Sequence, residues 1–269
     1  MAWLDLLVLG AAGTAAMRTA LERGDLDEAA RQGALAGPAI VERALGAADR
    51  TTRLAAIAAA PLVEDRAELL DALARAAVSP DRRTAIPAAA AARAIARELV
   101  SHDRPDDLAD DDLARWRAAW AGLAMQGERW IELRVIALDT AAALDRDGIG
   151  VDLGAALGDP DPAFRAAAAA TIAPEASARP EPAQRLAGAV IHDLDPEVAL
   201  AAAQALCMAI DAASARPILD ALGPSGLARI RALVTSDAPE VDDVARCLAA
   251  DGSDASIAAL RALHARTGR

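Results

Sequence analysis

An acidic turn that opens onto an alanine-rich helix recurs along this chain, and it constrains the fold more than any other feature. The stretch LGDPDPAFR, residues 157–165, sets the pattern: the apolar end of one helix, an Asp turn, then Arg165 on the next helix. IHDLDPEVA at 191–199 matches through Asp195, and LVTSDAPEV at 233–241 through Asp237. Upstream, LGAADRTTR at 45–53 carries Asp49 and Arg53, and AVSPDRRTA at 77–85 carries Asp81. QGERWIELR at 126–134 keeps Glu128 and Arg134. The turns return at intervals of roughly 31 to 49 residues, the range of helix-pair repeats. A proline in the first turn of a helix loses nothing, because its missing N–H would be unpaired there. An Asp before it caps orphan N–H groups. Pro61, Pro80, Pro160, Pro174, Pro196, Pro217, Pro224 and Pro239 each fall near an expected break.

Between the turns the chain is mostly alanine, the strongest helix former, and aromatic residues are only 2%. That predicts an all-α protein with thin, close helix contacts. A single helix pair cannot bury its apolar face alone and must stack on its neighbours.

The recurring turns resemble those of the HEAT-repeat family, particularly its short bacterial forms. Asp159 and Arg165 match the turn Asp and following Arg, and Glu128 and Arg134 match conservatively. The resemblance covers most of residues 40–250. It implies a right-handed α-solenoid of stacked antiparallel helix pairs, with a ladder of Asp and Arg side chains along the stack. Arg53, Asp195 and Asp237 join that set of ladder and cap residues. The ladder is interrupted, because the Arg position is Ala199 and Val241 in two later repeats. The segment HDRPDDLADDDLARW, residues 102–116, lengthens one connection. It divides the expected array into residues 1–101 and 102–269 of one continuous solenoid.

The net charge is −12, and no Lys/Arg-rich block offsets it. Such a chain repels phosphate backbones, which excludes nucleic acid as the expected partner. Every basic residue is Arg, and Lys, Asn and Tyr are absent. Their codons are AT-rich, so the composition points to a GC-rich bacterial genome. Residues 3–16, WLDLLVLGAAGTAA, are shorter than the ~20 residues needed to span a bilayer and carry Asp5. They also lack the basic start of a signal peptide. The expectation is a terminal helix, no membrane span and a cytoplasmic protein, or a periplasmic or secreted one if a leader has been removed.

Cys207 and Cys247 lie in apolar helical stretches and read as two buried thiols, with no disulfide framework. DRDGIGVD, residues 145–152, resembles a calcium loop through Asp145, Asp147, Gly148 and Asp152. It lacks an acid at Ala143 and at Gly154, so a helix end and turn is expected instead. His102, His192 and His264 show no metal-ligand spacing, and no P-loop, nucleophile elbow or dinucleotide-binding glycine run occurs. No metal or other cofactor is expected.

The acids Asp103, Asp106, Asp107, Asp110, Asp111 and Asp112 read first as helix N-terminal charges in a solvated loop. Asp106, Asp107, Asp110 and Asp111 are also candidates for contact with a basic partner. Trp116 and Trp120 fall close by. Leu113, Trp116, Trp120 and Leu123 form one helical stripe, with Asp111, Arg115 and Gly122 opposite, which favours core over interface. The function expected from this architecture is a non-enzymatic scaffold or adaptor that binds a protein with a basic surface. A HEAT-based enzyme of the chromophore-lyase kind and a regulatory subunit of a larger complex remain as alternatives.

Overall fold

The structure, a computed structural model, describes residues 15–101, 109–145, 152–172, 174–211, 213–235 and 241–267. These residues are helical and contain no strand. They fall into two compact units, Met1–Leu144 and Asp145–Arg269. That division lies later in the chain than the 101/102 break expected from the spacing. None of the described helices is long and apolar enough to cross a membrane.

The first unit holds α1 over residues 15–22, α2 (Leu26–Leu35), α3 (Pro38–Leu45), α4 (Arg50–Ala59), α5 (Leu70–Ala77), α6 (Arg82–Ser101), α7 (Asp110–Ala124) and α8 (Ile131–Ala143). Short 3-10 turns, Ala60–Leu62 and Arg66–Leu69, join α4 to α5. Here α3 packs on α4, α5 on α6 and α7 on α8, and alternate helices also pack on one another. Thus α2, α4, α6 and α8 lie side by side in one layer, and α3, α5 and α7 in the other. The second unit holds α9 (Leu153–Leu157), α10 (Pro162–Ala170), α11 (Pro174–Ser177), α12 (Pro180–His192), α13 (Pro196–Met208), α14 (Ala215–Thr235), α15 (Val241–Asp251) and α16 (Asp254–Thr267). There α10, α13 and α15 form one layer, and α9, α12, α14 and α16 the other.

Alanine makes these contacts. On α6, Ala85, Ala88, Ala89, Ala92 and Ala96 are fully buried with Ile95, a stripe at the helical period. On α13, Ala199, Ala202, Ala203 and Leu206 repeat the arrangement. Small side chains let neighbouring backbones approach. At Gly33 of α2, an added Cβ would stand 3.3 Å from the Ala59 Cβ of α4.

Breaks follow the expected chemistry. Pro38, Pro162, Pro180 and Pro196 open helices. Asp25, Asp49, Asp152, Asp161 and Asp195 cap helix N-termini through their side chains. α14 is two helices parted at Gly223, which takes φ +56° before Pro224. Pro87 departs from the pattern, because it lies inside α6. It stands one turn from the N-terminus, where it removes one ladder bond, the one to the Arg83 carbonyl. Pro239, Asp237 and residues 146–151 of the calcium-like stretch lie outside the described residues.

The cysteines require a correction. Cys207 of α13 and Cys247 of α15 are both fully buried, but they are bonded as a disulfide, with S–S 2.08 Å. Each lies on an apolar helix face, which is what their sequence context shows. The side-by-side stacking of α13 on α15 brings their Cα atoms to 5.1 Å, and spacing along the chain does not reveal that approach.

Trp116 and Trp120 sit on the buried side of α7, at 5% and 0% exposure, with Leu113 and Leu123. Neither indole N–H has a protein partner among the described residues. Trp120→Ala is expected to cost ~3–5 kcal/mol through the cavity it leaves. Trp120→Phe, which keeps a ring and removes an unpaired donor, should cost clearly less. Chemical denaturation of the three proteins, followed by blue-shifted tryptophan emission, checks the order. The disulfide closes a 40-residue separation. Its loss in a Cys207→Ala, Cys247→Ala double variant is expected to lower stability by about 3–4 kcal/mol on the chain-entropy estimate. Calorimetry of the variant against the oxidised protein measures this.

Candidate functional site

The acidic turns are built alike in both units. Before α10, the Asp159 carboxylate accepts from the Asp161 N–H at 2.9 Å, and Asp161 in turn caps the helix through the Ala163 N–H at 2.9 Å. Before α13, Asp193 accepts from the Asp195 N–H at 3.0 Å, and Asp195 accepts from the Glu197 N–H at 2.9 Å. Before α6, Ser79 takes the first role: its Oγ accepts from the Asp81 N–H at 3.2 Å. Asp81 then accepts from the Arg83 N–H at 3.1 Å.

The arginine that follows brackets the turn. Arg165 Nη1 donates to the carbonyls of Asp159 and Pro160 at 2.8 and 3.2 Å. Arg53 Nη1 donates to the carbonyls of Ala47 and Ala48, both at 2.7 Å. These carbonyls hold the same places relative to each arginine.

In the second unit the bracket extends to the next turn. Arg165 Nε and Nη2 donate to the two oxygens of Asp193 at 2.8 and 3.0 Å. The side chains are only 17% and 10% exposed. This forked pairing suits the planar guanidinium. It holds the Asp193 carboxyl below its usual range, first through the Arg165 hydrogen bond and then through the Asp195 N–H, with burial opposing. The partner of Arg165 is thus Asp193. The sequence points to it only through the doubled acid of DPDP and DLDP, where the first Asp of each pair is the acceptor.

Other candidates are placed differently. Arg134 is buried on α8, where its Nε donates to the Ala124 carbonyl at 2.9 Å, while Glu128 is exposed in the preceding turn. Asp110 and Asp111 are exposed in the first turn of α7, and Asp106 and Asp107 lie outside the described residues. Asp112 is drawn into a pair with Arg115 at 2.6 Å, and Arg115 also reaches Asp71 at 3.1 Å. Trp116 and Trp120 fill the core. That corrects their candidacy as partner contacts, because a buried ring offers no surface. His192 and His264 are exposed near the ends of α12 and α16.

Two clefts open on the first unit. One, of about 320 Å³, is lined by Glu42, Arg53, Arg75, Ser79 and Thr84 with apolar neighbours. The other, of about 370 Å³, lies among Met17, Leu21, Ile40, Ala44 and the side chains of Arg18 and Arg43. Among the described residues, no group of three or more His, Cys, Asp or Glu is disposed to hold a metal ion.

No protein-family model matches the chain, and no curated protein matches it. Among solved structures it is similar to an engineered protein whose crystal structure was a structural-genomics target. The identity is 17%, over 91% of this chain and 87% of that one, with a TM-score of 0.37. A likeness at that score carries no argument.

The Arg165–Asp193 pair has a defined pH signature. A carboxylate whose folded pKa is depressed adds stability above its unfolded pKa, about 3.9 for Asp. That stability is lost as pH falls through the lower folded value. Asp193→Asn should therefore lower stability at neutral pH and flatten the fall in stability below about pH 4. Arg165→Ala, which strips donors from a carboxylate and two carbonyls, should cost about 1–3 kcal/mol at pH 7. Urea denaturation of the three proteins at stepped pH values measures both effects.

Proposed function

We propose that this chain is a non-enzymatic protein-interaction scaffold built from HEAT-like repeats, a right-handed solenoid of antiparallel helix pairs. The observation that carries the reading is the recurrence of one turn device in both units. Before α6, α10 and α13 a side-chain oxygen takes the N–H two residues on, Asp side chains cap helices in both units, and before α4 and α10 an Arg brackets the turn carbonyls. Stacked layers of alternate helices in each unit support it, since such layers expose rows of helices side by side. The warrant is architectural, because a fold hosts many functions and this one is most at home with extended protein contacts.

The partner carries a basic surface. A net charge of −12 accelerates association with such a surface and slows it with increasing salt. Asp110 and Asp111, exposed on the first turn of α7, are the acids chosen for the contact. The disulfide favours a compartment that keeps thiols oxidised over the cytoplasm.

The test begins with the protein as bait. A partner recovered at fixed stoichiometry is purified, and association rates are measured from low to high ionic strength. The expected result is a rate that falls with salt and falls further in an Asp110→Asn, Asp111→Asn variant of unchanged melting temperature. Association indifferent to salt and to these substitutions would replace the charged contact with an apolar one. Turnover of a small molecule by the purified chain would overturn the scaffold reading.

A further inference from the structure

The two units differ at one rung, and the difference leaves a guanidinium without its carboxylate. Arg53 stands where Arg165 stands: four residues after a capping Asp, with Nη1 donating to the two carbonyls of the preceding turn. Ser79 stands where Asp193 stands, because each side-chain oxygen accepts the N–H of the Asp two residues on. In the second unit, Nε and Nη2 of the arginine grip the Asp193 carboxylate. In the first, the corresponding side chain is a neutral hydroxyl whose oxygen already serves the Asp81 N–H. Among the described residues Arg53 makes no ion pair and its Nε and Nη2 donate to no acceptor, and the Asp49 carboxylate acts on it only through space.

Where the carboxylate would be, there is space. Arg53 and Ser79 line the same cleft of about 320 Å³ between α3, α4, α5 and the start of α6. That is within the size range of small-ligand sites, at its lower end. The charged groups on its walls are Arg53, Arg75 and Glu42. Arg75 and Glu42 pair with each other at 2.9 Å, so the balance facing the cleft is one positive charge. The nearby acids are otherwise engaged. Asp49 accepts from the Thr52 N–H at 2.7 Å, and Asp81 lies 3.4 Å from Arg50. Thr84, which completes the wall, donates its hydroxyl to Asp81 at 2.8 Å.

We infer that this cleft binds a small carboxylate anion, which takes the place of the missing rung and is gripped by the free edge of Arg53, with Arg75, whose charge is shared with Glu42, as a second donor. A carboxylate is favoured over other anions because the corresponding site in the second unit is filled by one, in the two-oxygen geometry a guanidinium edge matches.

Substitution of Ser79 by Asp tests this, because it supplies the carboxylate from within the chain. The probe is succinate, titrated against the full chain at ionic strength held constant with sodium chloride. The wild-type melting temperature should rise with millimolar succinate. Ser79→Asp should melt higher than wild type without succinate and show no further rise when it is added. Arg75→Gln alters an exposed side chain and keeps the test decisive if Ser79→Asp does not fold. It should bind succinate about tenfold more weakly, as expected when one charge-assisted contact is lost. A wild type that responds to succinate no more than to chloride would overturn the proposal, as would a Ser79→Asp protein that responds as wild type does. Phosphate stabilising the wild type as well as succinate would overturn the carboxylate assignment.

Discussion

An alanine side chain removes little apolar surface from water, so a helix built on alanine gains from burial only when its neighbours come very close. That constraint runs through both units. On α6 and α13 the buried stripe is mostly alanine, and each of these helices packs on two or more others. Thin side chains leave no slack in spacing or register. The larger buried side chains, Trp120, Phe164, Leu133, Leu138 and Leu206 among them, share the setting of helix positions with the turns. The turns contribute because each fixes where a helix starts, and before α4 and α10 an arginine also holds the turn carbonyls.

The turn device is polar and directional, which complements a core that is neither. Arg165 joins three parts in one guanidinium: its own helix, the turn before it and Asp193 in the next turn. A carboxylate with only 10% exposure is tolerated there because the Arg165 hydrogen bonds and the Asp195 N–H outweigh the cost of burying its charge. The same device in the first unit ends in Ser79, and that unit ties neighbouring helices by other pairs. Arg82 reaches Glu132 at 2.6 Å and Arg97 reaches Asp139 at 2.6 Å, both between α6 and α8, while Arg66 pairs with Glu98. These pairs are partly exposed and contribute little individually. In the second unit, α13 and α15 are tied by the Cys207–Cys247 bond instead. The two units thus share a turn and differ in what reinforces the stack.

Helix content, the turns and the caps were legible because they are local. Alanine frequency, a proline in the first turn and an Asp two to three residues before an N–H act over a few residues, and their chemistry does not depend on distant parts of the chain. The stripe of Leu113, Trp116, Trp120 and Leu123 was legible for the same reason, since a helix converts spacing into a face. Pro87 shows the limit of local signals. The packing of α6 on α4, α5 and α8 holds the helix together across a residue that interrupts its hydrogen bonds.

By itself the sequence determined an all-helical chain, where many of its helices begin, and that Asp159, Asp195 and Arg165 belong to recurring turns. Only the tertiary structure decided who meets whom. It paired Arg165 with Asp193 and joined Cys207 to Cys247 across 40 residues. It also set Arg53 beside Ser79 across an open cleft. The physical reason is that each of these contacts joins helices or turns well separated along the chain. The distance across such a contact depends on how closely the alanine faces stack, and a period along the chain carries no record of that distance.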